Sequence, residues 1–282
     1  SRVAKDTAVA SDGRFHQAGG IQKIDDIRRG EDMKVIFSED FHQSYSGDPA
    51  AAYGRMEAVL RVLRGRVTLV DAIPAAAEDI AAVHTSNHCD RVVAEGVYEI
   101  AALAAGGAIQ AATLGLAEPC FALIRPPGHH ASAGSAWGFC YFNNMAIALE
   151  KLKREGRISR AFILDFDLHV GDGNVNILGQ RGYAAIYNPA SADRGEYLKN
   201  CRRQLADHPA DIIGVSAGFD NHEEDWGGLL TTEDYREIGI MVREAAERNG
   251  GGCFGILEGG YNHRVLGRNV LAFLEGMERA KE

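Results

Sequence analysis

The chain has 282 residues, of which 46% are hydrophobic, so it can form one large globular domain or two small ones with a sizeable core. Its net charge of −9 and pI of about 5.6 argue against nucleic acid as the main partner and mildly favour a cationic or neutral ligand. No apolar run is long enough to span a membrane, so we expect no membrane association. Five scattered cysteines without a Cys-x-x-Cys pair predict reduced thiols and a cytoplasmic protein.

Residues 1–32 differ from the rest of the chain because they are polar and weakly periodic, and we interpret them as an N-terminal extension of a domain that spans 33–282. From residue 34 onward, short apolar runs alternate with helical patterns. The predicted strands are 35–38, 68–71, 120–124, 161–164, 184–187, 212–217 and 253–257. The predicted helices are 50–63, 75–83, 95–114, 144–155, 196–205, 232–248 and 265–279. This alternation predicts a single α/β domain with a parallel sheet whose strands are buried on both faces.

Four of the predicted strands are followed by polar residues beside glycine. The segments that follow them are 125–130 (Arg-Pro-Pro-Gly-His-His), 165–173 (Asp-Phe-Asp-Leu-His-Val-Gly-Asp-Gly), 218–220 (Gly-Phe-Asp) and 258–261 (Glu-Gly-Gly-Tyr). Parallel sheets bind ligands at the carboxyl ends of their strands, so these segments should meet at one edge. Each alone is a weak signal; their shared placement predicts a functional site.

The segment at 165–173 is the most informative. In an extended chain alternate residues share a face, so Asp165, Asp167 and His169 could line one surface where the strand ends. Two carboxylates and an imidazole suit a divalent metal, whereas a single buried Asp would more often serve a turn. Asp167 and His169 together with Asp220 would make a three-ligand site, which leaves positions for water and substrate as catalytic zinc does.

The remaining polar residues suggest acid–base chemistry. His129 and His130 are adjacent on a loop stiffened by proline, and they could act as general base and general acid if Asp165 and Asp172 orient them. Which histidine would take which role stays open. Tyr261 could donate a hydrogen bond to a developing oxyanion. The aromatic run at 137–142 is equally consistent with the wall of a narrow channel and with ordinary core packing.

Five segments in this order resemble the histone deacetylase and acetylpolyamine amidohydrolase superfamily. They are Arg-Pro-Pro-Gly-His-His-Ala at 125–131, Gly-Phe-Cys-Tyr-Phe-Asn-Asn at 138–144, Asp-Phe-Asp-Leu-His-Val-Gly-Asp-Gly at 165–173, Ser-Ala-Gly-Phe-Asp at 216–220 and Glu-Gly-Gly-Tyr at 258–261. The resemblance runs from about residue 33 to the C-terminus, and the Arg-Pro-Pro-Gly segment is similar to the class II and prokaryotic branch. It implies the arginase/deacetylase fold, with about eight parallel strands flanked by helices.

The resemblance also implies a zinc-dependent amidohydrolase acting on an N-acetylated amine, either a small molecule or a protein lysine. By motif, the residues that match zinc ligands are Asp167, His169 and Asp220. Those that match the catalytic set are His129, His130, Asp165, Asp172 and Tyr261. Gly138 and Phe139 match the wall of the acyl channel, and the short loop at 225–228 puts Trp226 near its mouth. The family often holds a structural potassium ion, although the serine expected near Ile186 is missing.

Two alternatives remain. A dinuclear manganese ureohydrolase of the same fold would need further metal carboxylates, which residues 218–222 do not supply. A catalytically inactive module that binds acyl-lysine should have lost a ligand, a histidine or Tyr261, and none of these is missing. The sequence leaves the oligomeric state open.

Overall fold

The computed structural model describes residues 32–278. The predicted extension at 1–32 therefore lies, except for Asp32, outside the described residues, as do the last four residues of the predicted domain. Within the described part, no helix is both long and apolar enough to cross a membrane.

The centre of the fold is a parallel sheet with the strand order β2-β1-β3-β7-β6-β4-β5. Its strands are β1 (Lys34–Phe37), β2 (Thr68–Asp71), β3 (Cys120–Ala122), β4 (Ala161–Asp165), β5 (Ala184–Tyr187), β6 (Ile212–Ala217) and β7 (Gly252–Leu257). Every predicted strand is present, so the single α/β domain with a parallel sheet is confirmed. The expected count of about eight strands is wrong for residues 32–278, which form seven. The apolar runs themselves numbered seven, and the eighth strand came only from the resemblance.

Nine α-helices connect the strands in the described part of the chain. They are α1 (Arg55–Leu63), α2 (Ala77–Ala81), α3 (Ser86–Ala94), α4 (Tyr98–Gly115), α5 (Asn144–Arg154), α6 (Asp172–Leu178), α7 (Arg194–Asp207), α8 (Thr232–Asn249) and α9 (Leu266–Met277). Short 3-10 turns occur at Glu39–His42 and Pro49–Ala51.

Some helix boundaries differ from the prediction because of left-handed glycines. The predicted helix at 50–63 divides into a 3-10 turn and α1, since Gly54 has φ +87°. Gly96, with φ +74°, separates α4 from α3, which the sequence did not predict. Helix α3 buries few apolar side chains and depends on Thr85, whose side chain accepts a hydrogen bond from the His88 N–H at 3.4 Å. Helix α6 was also not predicted, because its seven residues carry too short a pattern.

Both faces of the sheet are covered by helices. On β7, Phe254 faces α4, since a Cβ on Gly115 would lie 2.9 Å from the Phe254 Cβ. The neighbouring Gly255 faces the other layer, where Phe121 of β3 contacts Phe273 of α9 at 6.2 Å between ring centroids. Adjacent strand residues point to opposite faces, so both must be apolar or small. This explains the unbroken apolar runs in the sequence.

The strands that precede the predicted site are neighbours in the centre of the sheet. β3, β7, β6 and β4 follow one another in the strand order, so their carboxyl ends lie side by side. Beneath them lies an aromatic cluster, in which Phe166 and Phe219 contact each other at 5.5 Å and both contact Phe273. Because Phe166 and Phe219 each precede a site aspartate in sequence, their burial fixes the backbone from which those carboxylates project.

His84 lies buried between the loop after β3 and the start of α5. Its Nδ1 is 3.1 Å from the Ser132 carbonyl oxygen, and its Nε2 accepts a hydrogen bond from the Asn143 backbone N–H at 2.9 Å. The neutral ring with its hydrogen on Nδ1 satisfies both partners, whereas protonation of Nε2 would remove the second bond. Burial, followed by the nearby His88, lowers the pKa of His84 to about 4.

We predict that His84 makes the fold acid-sensitive. Because its pKa is lower in the folded chain than the unfolded value of 6.5, its stabilisation is complete above pH 6.5 and is lost as the pH falls toward 4. His84→Gln keeps an acceptor for Asn143 but does not titrate. From pH 6.5 to pH 5, the wild type should lose roughly 1.5 kcal/mol more of its unfolding free energy than the variant. Urea denaturation across this range measures the difference, and a pH-independent difference would contradict the prediction.

Candidate active site

Three side chains at the carboxyl ends of β4 and β6 bring metal-ligating atoms together. Asp167, His169 and Asp220 each offer one such atom, and these atoms all lie within 4.8 Å of one another. His169 Nδ1 is 3.2 Å from Asp167 Oδ1 and 3.2 Å from Asp220 Oδ2. Asp220 Oδ2 is buried, and apart from this contact with His169 it accepts no hydrogen bond from the described residues, so it can bind a cation. The donor set of two carboxylates and one imidazole suits a divalent ion such as zinc.

The backbone that carries this group differs from the predicted one. β4 ends at Asp165, so Asp167 and His169 lie in the turn beyond the strand and not on an extended face. Asp165 accordingly faces His129, while the turn is stabilised by the His169 N–H, which donates to Asp167 Oδ1 at 2.9 Å. The Leu168 N–H donates to Asp220 Oδ1 at 3.0 Å and joins the turn to the end of β6. The three ligand candidates thus meet through these local hydrogen bonds.

The charges in this group are interdependent. Burial and the neighbouring Asp167 raise the pKa of Asp220. Although burial opposes it, His129 and hydrogen bonds from His169 and Gly259 lower the pKa of Asp167. Hydrogen bonds with Asp167 and Asp220 raise the pKa of His169 to about 10. The two carboxylates therefore favour positive charge between them.

The adjacent histidines form two separate pairs with carboxylates. His129 Nδ1 lies 3.2 Å from Asp165 Oδ2, and His130 Nδ1 lies 2.8 Å from Asp172 Oδ1. The two rings are 4.0 Å apart between centroids, and His129 Nε2 is 3.8 Å from Asp167 Oδ1. Each pairing occupies Nδ1, which leaves Nε2 of each ring toward the metal-ligating group or the open site.

The environments of the two imidazoles shift their pKa values in opposite directions. Burial opposes protonation of His129, but the charges of Asp167 and Asp165 raise its pKa well above 6.5. For His130, burial and the charge on His129 lower the pKa to about 4. Two adjacent titratable groups with divergent pKa values are typical of acid–base sites.

Sequence reasoning gave no role to Glu258, which follows β7 and is fully buried. Its Oε2 accepts hydrogen bonds from the backbone N–H groups of Gly128 at 2.7 Å and His129 at 3.2 Å. Burial raises its pKa to about 7. Glu258 therefore fixes the loop that carries both histidines. The Glu-Gly-Gly-Tyr segment contained the residue, but nothing in sequence indicated that its partners were backbone amides 130 and 129 positions away.

No sequence pattern indicated a role for Arg55 of α1. Its side chain is fully buried and donates from Nε to the Gly260 carbonyl oxygen at 2.9 Å and from Nη2 to the Glu258 carbonyl oxygen at 2.6 Å. Its guanidinium carbon lies 5.6 Å from the centroid of the Tyr261 ring. Arg55 thus supports the Gly-rich turn below Tyr261. Because it binds carbonyl oxygens, no acidic partner in the sequence could have revealed it.

Tyr261 is enclosed by aromatic rings. Its ring stacks on Trp226 at 4.1 Å and meets Phe139 edge-on at 5.9 Å between centroids. Its backbone N–H donates to Asp225 Oδ2 at 2.9 Å, which joins the Trp226 loop to the turn. Burial raises the pKa of Tyr261, so its phenol keeps its proton and remains a hydrogen-bond donor.

The remaining channel candidates lie on the loop before α5. Gly138 has φ +60° and Phe139 φ +69°, and a Cβ on Gly138 would clash with the His130 ring. Within the aromatic run at 137–142, Trp137 lies over His130 with 3.8 Å between ring centroids, whereas Phe142 is buried in the core. Core packing is therefore the role of Phe142, and the channel wall stays a prediction for Gly138 and Phe139.

The chain is similar to known proteins over most of its length. A family model described as a histone deacetylase domain matches residues 50–188 and 185–277. The chain belongs to the histone deacetylase family. It is 30% identical to a protein named "Probable deacetylase" of Methanothermobacter thermautotrophicus, over 87% of this chain and 91% of that protein. It is also 30% identical to a "Histone deacetylase-like amidohydrolase" of Pseudomonas aeruginosa, over 80% of this chain and 76% of the other.

A further relative is the "Acetylpolyamine amidohydrolase" of Mycoplana ramosa, which is 29% identical over 68% of this chain and 66% of that protein. Among solved structures, the HD domain of HDA15 superposes with a TM-score of 0.76 and 24% identity, covering 89% of this chain and 92% of the other. At this identity the likeness shows the fold. The recognised superfamily and the α/β fold predicted from the sequence are both confirmed.

We predict that Gly138→Ala damages the site more than the fold. The left-handed backbone at this position costs an L-residue about 1–2 kcal/mol, and the added Cβ would also push the His130 ring. Gly65→Ala is the matched control, because Gly65 has φ +72° but no atom within 4 Å of its Cβ position. In urea denaturation Gly65→Ala should lose only the cost of the left-handed backbone, and Gly138→Ala should lose at least as much. Only Gly138→Ala should lose catalytic activity. Equal activities would show that the contact with His130 is unimportant.

Proposed function

We propose that the chain is a zinc-dependent amidohydrolase that removes an acetyl or short acyl group from an N-acetylated amine. The observation that carries the proposal is the convergence of Asp167, His169 and Asp220 beside two His–carboxylate pairs and Tyr261. Family membership supports a hydrolase of the deacetylase class. Zinc is chosen because it binds carboxylate oxygens and imidazole nitrogens, and because three protein ligands are typical of a catalytic zinc site.

A zinc ion held by Asp167, His169 and Asp220 would supply Lewis-acid polarisation of the acyl carbonyl and a lowered pKa for a bound water. The chain's own residues would move the protons. His130, whose Nδ1 is paired with Asp172, is suited to accept a proton from water at Nε2, and His129 or His130 would then protonate the leaving amine. Asp165 and Asp172 keep each ring's Nδ1 occupied, so that Nε2 presents the reacting position.

Tyr261 would donate its phenolic hydrogen to the oxyanion that develops on the acyl oxygen. Its raised pKa keeps the donor protonated, and its ring is held by Trp226 and Phe139. A donor that is fixed before the reaction begins stabilises the transition state without reorganisation. Gly138, Phe139 and Trp226 would form the wall and mouth of the acyl channel.

The names of the relatives cover acetylated proteins and acetylated polyamines, so the substrate is proposed as a class. It is an N-acetylated amine, either a small molecule or a protein lysine. The net charge of −9 and the exposed Glu223 near the channel mouth would favour a substrate that carries further positive charge, whereas the neighbouring Glu224 is already paired with Arg268.

A structural potassium ion is a secondary part of the proposal. Asp165 Oδ1 is buried and accepts no hydrogen bond from the described residues, so it could serve as a ligand of such an ion. The serine that the family would supply from the next strand is absent from β5, whose residues are Ala-Ala-Ile-Tyr. The ion would therefore depend more on backbone oxygens.

Neither alternative gains support from the site. In residues 32–278 the group that could hold an ion has three members, each offering one ligand atom, and the nearby Asp165 has only Oδ1 left because His129 and Asn174 contact Oδ2. A dinuclear manganese centre would therefore lack ligands. A binding module without catalysis would not require the intact pairs described above. The dinuclear centre and the inactive module remain outcomes of the assay.

Hydrolysis of a fluorogenic acetyl-lysine peptide and of a panel of acetylated amines tests the proposal. We expect turnover with zinc, loss of turnover with a chelator and recovery when zinc is restored. Activity on guanidino substrates with two manganese ions per chain would support the ureohydrolase. Binding of the peptide without turnover under any metal would support the inactive module and refute the proposed function.

We predict that Asp220→Ala and Asp220→Asn abolish metal binding. Two remaining ligands hold zinc poorly, and the Asn variant keeps the shape of the buried side chain in case the Ala variant folds badly. Glu223→Ala, an exposed position on the same loop, should keep the metal. Elemental analysis of the purified variants gives the metal-to-protein ratio. A ratio near one in either Asp220 variant would remove this residue from the ligand set.

We predict that Tyr261→Phe keeps the metal and the fold but loses most activity. The phenylalanine ring can still stack on Trp226, so the unfolding free energy should hardly change. Removal of one oxyanion donor costs on the order of 10²–10³ in rate. Turnover should fall more than substrate affinity, because the bond strengthens in the transition state. Steady-state kinetics decide, and turnover within a few-fold of wild type would leave Tyr261 without this role.

A further inference from the structure

The two His–carboxylate pairs differ in how their carboxylates are held. Asp165 is fully buried, and its Oδ2 also accepts a hydrogen bond from Asn174 Nδ2 at 3.1 Å. The Asp172 side chain is 42% exposed, although the histidine it contacts is as buried as the other one. An exposed carboxylate exchanges easily between water and its protein partner, so the His130–Asp172 pair needs another restraint to keep one orientation.

Trp137 supplies such a restraint. Its indole Nε1–H donates to both Asp172 oxygens, at 3.1 Å to Oδ1 and 3.0 Å to Oδ2. The same ring lies over His130, at 3.8 Å between centroids and 31° between planes. One side chain thus contacts both members of the pair, through its polar edge and through its face.

The backbone conformation of the residues after Trp137 indicates that surrounding contacts fix the orientation of the Trp137 side chain. The next two residues, Gly138 and Phe139, both adopt left-handed conformations, and Phe139 is the one non-glycine residue in the described part of the chain with positive φ. A left-handed non-glycine residue is costly and persists only where surrounding contacts require it. This turn directs Trp137 toward His130 and Phe139 toward Tyr261.

We propose that Trp137 is a positioning residue that orients Asp172 toward His130 and so fixes the ring of the exposed His–carboxylate pair. Its indole N–H holds both carboxylate oxygens, which leaves Oδ1 directed at His130 Nδ1, and its ring covers the imidazole of His130. The kinetic consequences of this inference rest on the proposed function. The contact itself does not.

A channel wall alone would not require these contacts. An apolar wall needs the area of the indole ring but not its N–H, and its loss would weaken substrate binding. A positioning residue acts through Asp172, so its loss would slow turnover and would have no effect once Asp172 is absent. The two roles therefore predict different kinetic changes for one substitution.

The test is a double-mutant cycle with Trp137→Phe and Asp172→Ala. Phenylalanine keeps an aromatic ring for His130 but removes the N–H. We expect Trp137→Phe to lower kcat on the order of tenfold with KM nearly unchanged, because a hydrogen bond to a charged group is lost while ring contact remains. In the Asp172→Ala background, Trp137→Phe should have no further effect.

Trp226→Phe is the matched control. Its ring also stacks on a proposed catalytic residue, but its Nε1–H makes no hydrogen bond with any described residue. Whatever its effect, that effect should be the same with and without Asp172. Additive behaviour of Trp137→Phe, or a rise in KM without a fall in kcat, would overturn the proposal and leave Trp137 as a channel wall.

A fluorescence measurement tests the contact without any activity. The chain has two tryptophans, so Trp226→Phe leaves Trp137 as the one indole emitter. Adding Asp172→Ala to this variant should change the emission intensity and make Trp137 more accessible to acrylamide quenching. If emission and quenching stay the same, the contact is refuted. If they change but no acetylated amine is hydrolysed, the proposed function fails while the contact stands.

Discussion

The site depends on the burial of four carboxylates at the centre of one sheet edge, because each buried charge requires a partner. Asp165, Asp167, Asp220 and Glu258 are each at most 5% exposed, and they lie at or just beyond the ends of three strands that are neighbours in the sheet. Burying a charge is costly unless it is paired or hydrogen-bonded. The structure provides a histidine for Asp165, backbone amides for Glu258, and a place between Asp167 and Asp220 that favours a cation. The histidine and the cation that compensate these buried charges are also groups that take part in the proposed reaction.

The glycines of the sequence motifs are explained by the space that these carboxylates need. A Cβ on Gly171 would clash with the Asp165 carboxylate, and one on Gly218 would clash with that of Asp167. A Cβ on Gly259 would lie 2.6 Å from Asp167 Oδ2, whereas the Gly259 N–H donates to the same oxygen at 2.8 Å. Glycine here permits backbone N–H groups to approach an anion that any side chain would displace.

The sequence was sufficient to predict the strands and the grouping of the site, because buried strands and the polar residues after them are both local patterns. It could not predict contacts whose partners are backbone atoms or distant in sequence. Arg55 binds carbonyl oxygens, Glu258 binds amides, and the Trp137 N–H binds Asp172 across 35 positions. The turn that carries Asp167 also escaped prediction, since polar residues at alternate positions after a strand are compatible with an extended segment as well as with a turn.

The position of β7 in the sheet has a consequence for how the molecule folds. β7 is the last strand in the chain, yet it lies between β3 and β6, so β2-β1-β3 and β6-β4-β5 remain separate half-sheets until it inserts. One half-sheet carries the histidine loop and the other carries the three metal-ligand candidates. In the pairing of β3 with β7, Cys120 lies opposite Phe254. The contacts that join the two half-sheets therefore close very long loops, and such contacts form late in folding. During synthesis the nascent chain therefore exposes two apolar edges until Leu257 has left the ribosome, and the site cannot assemble before that moment.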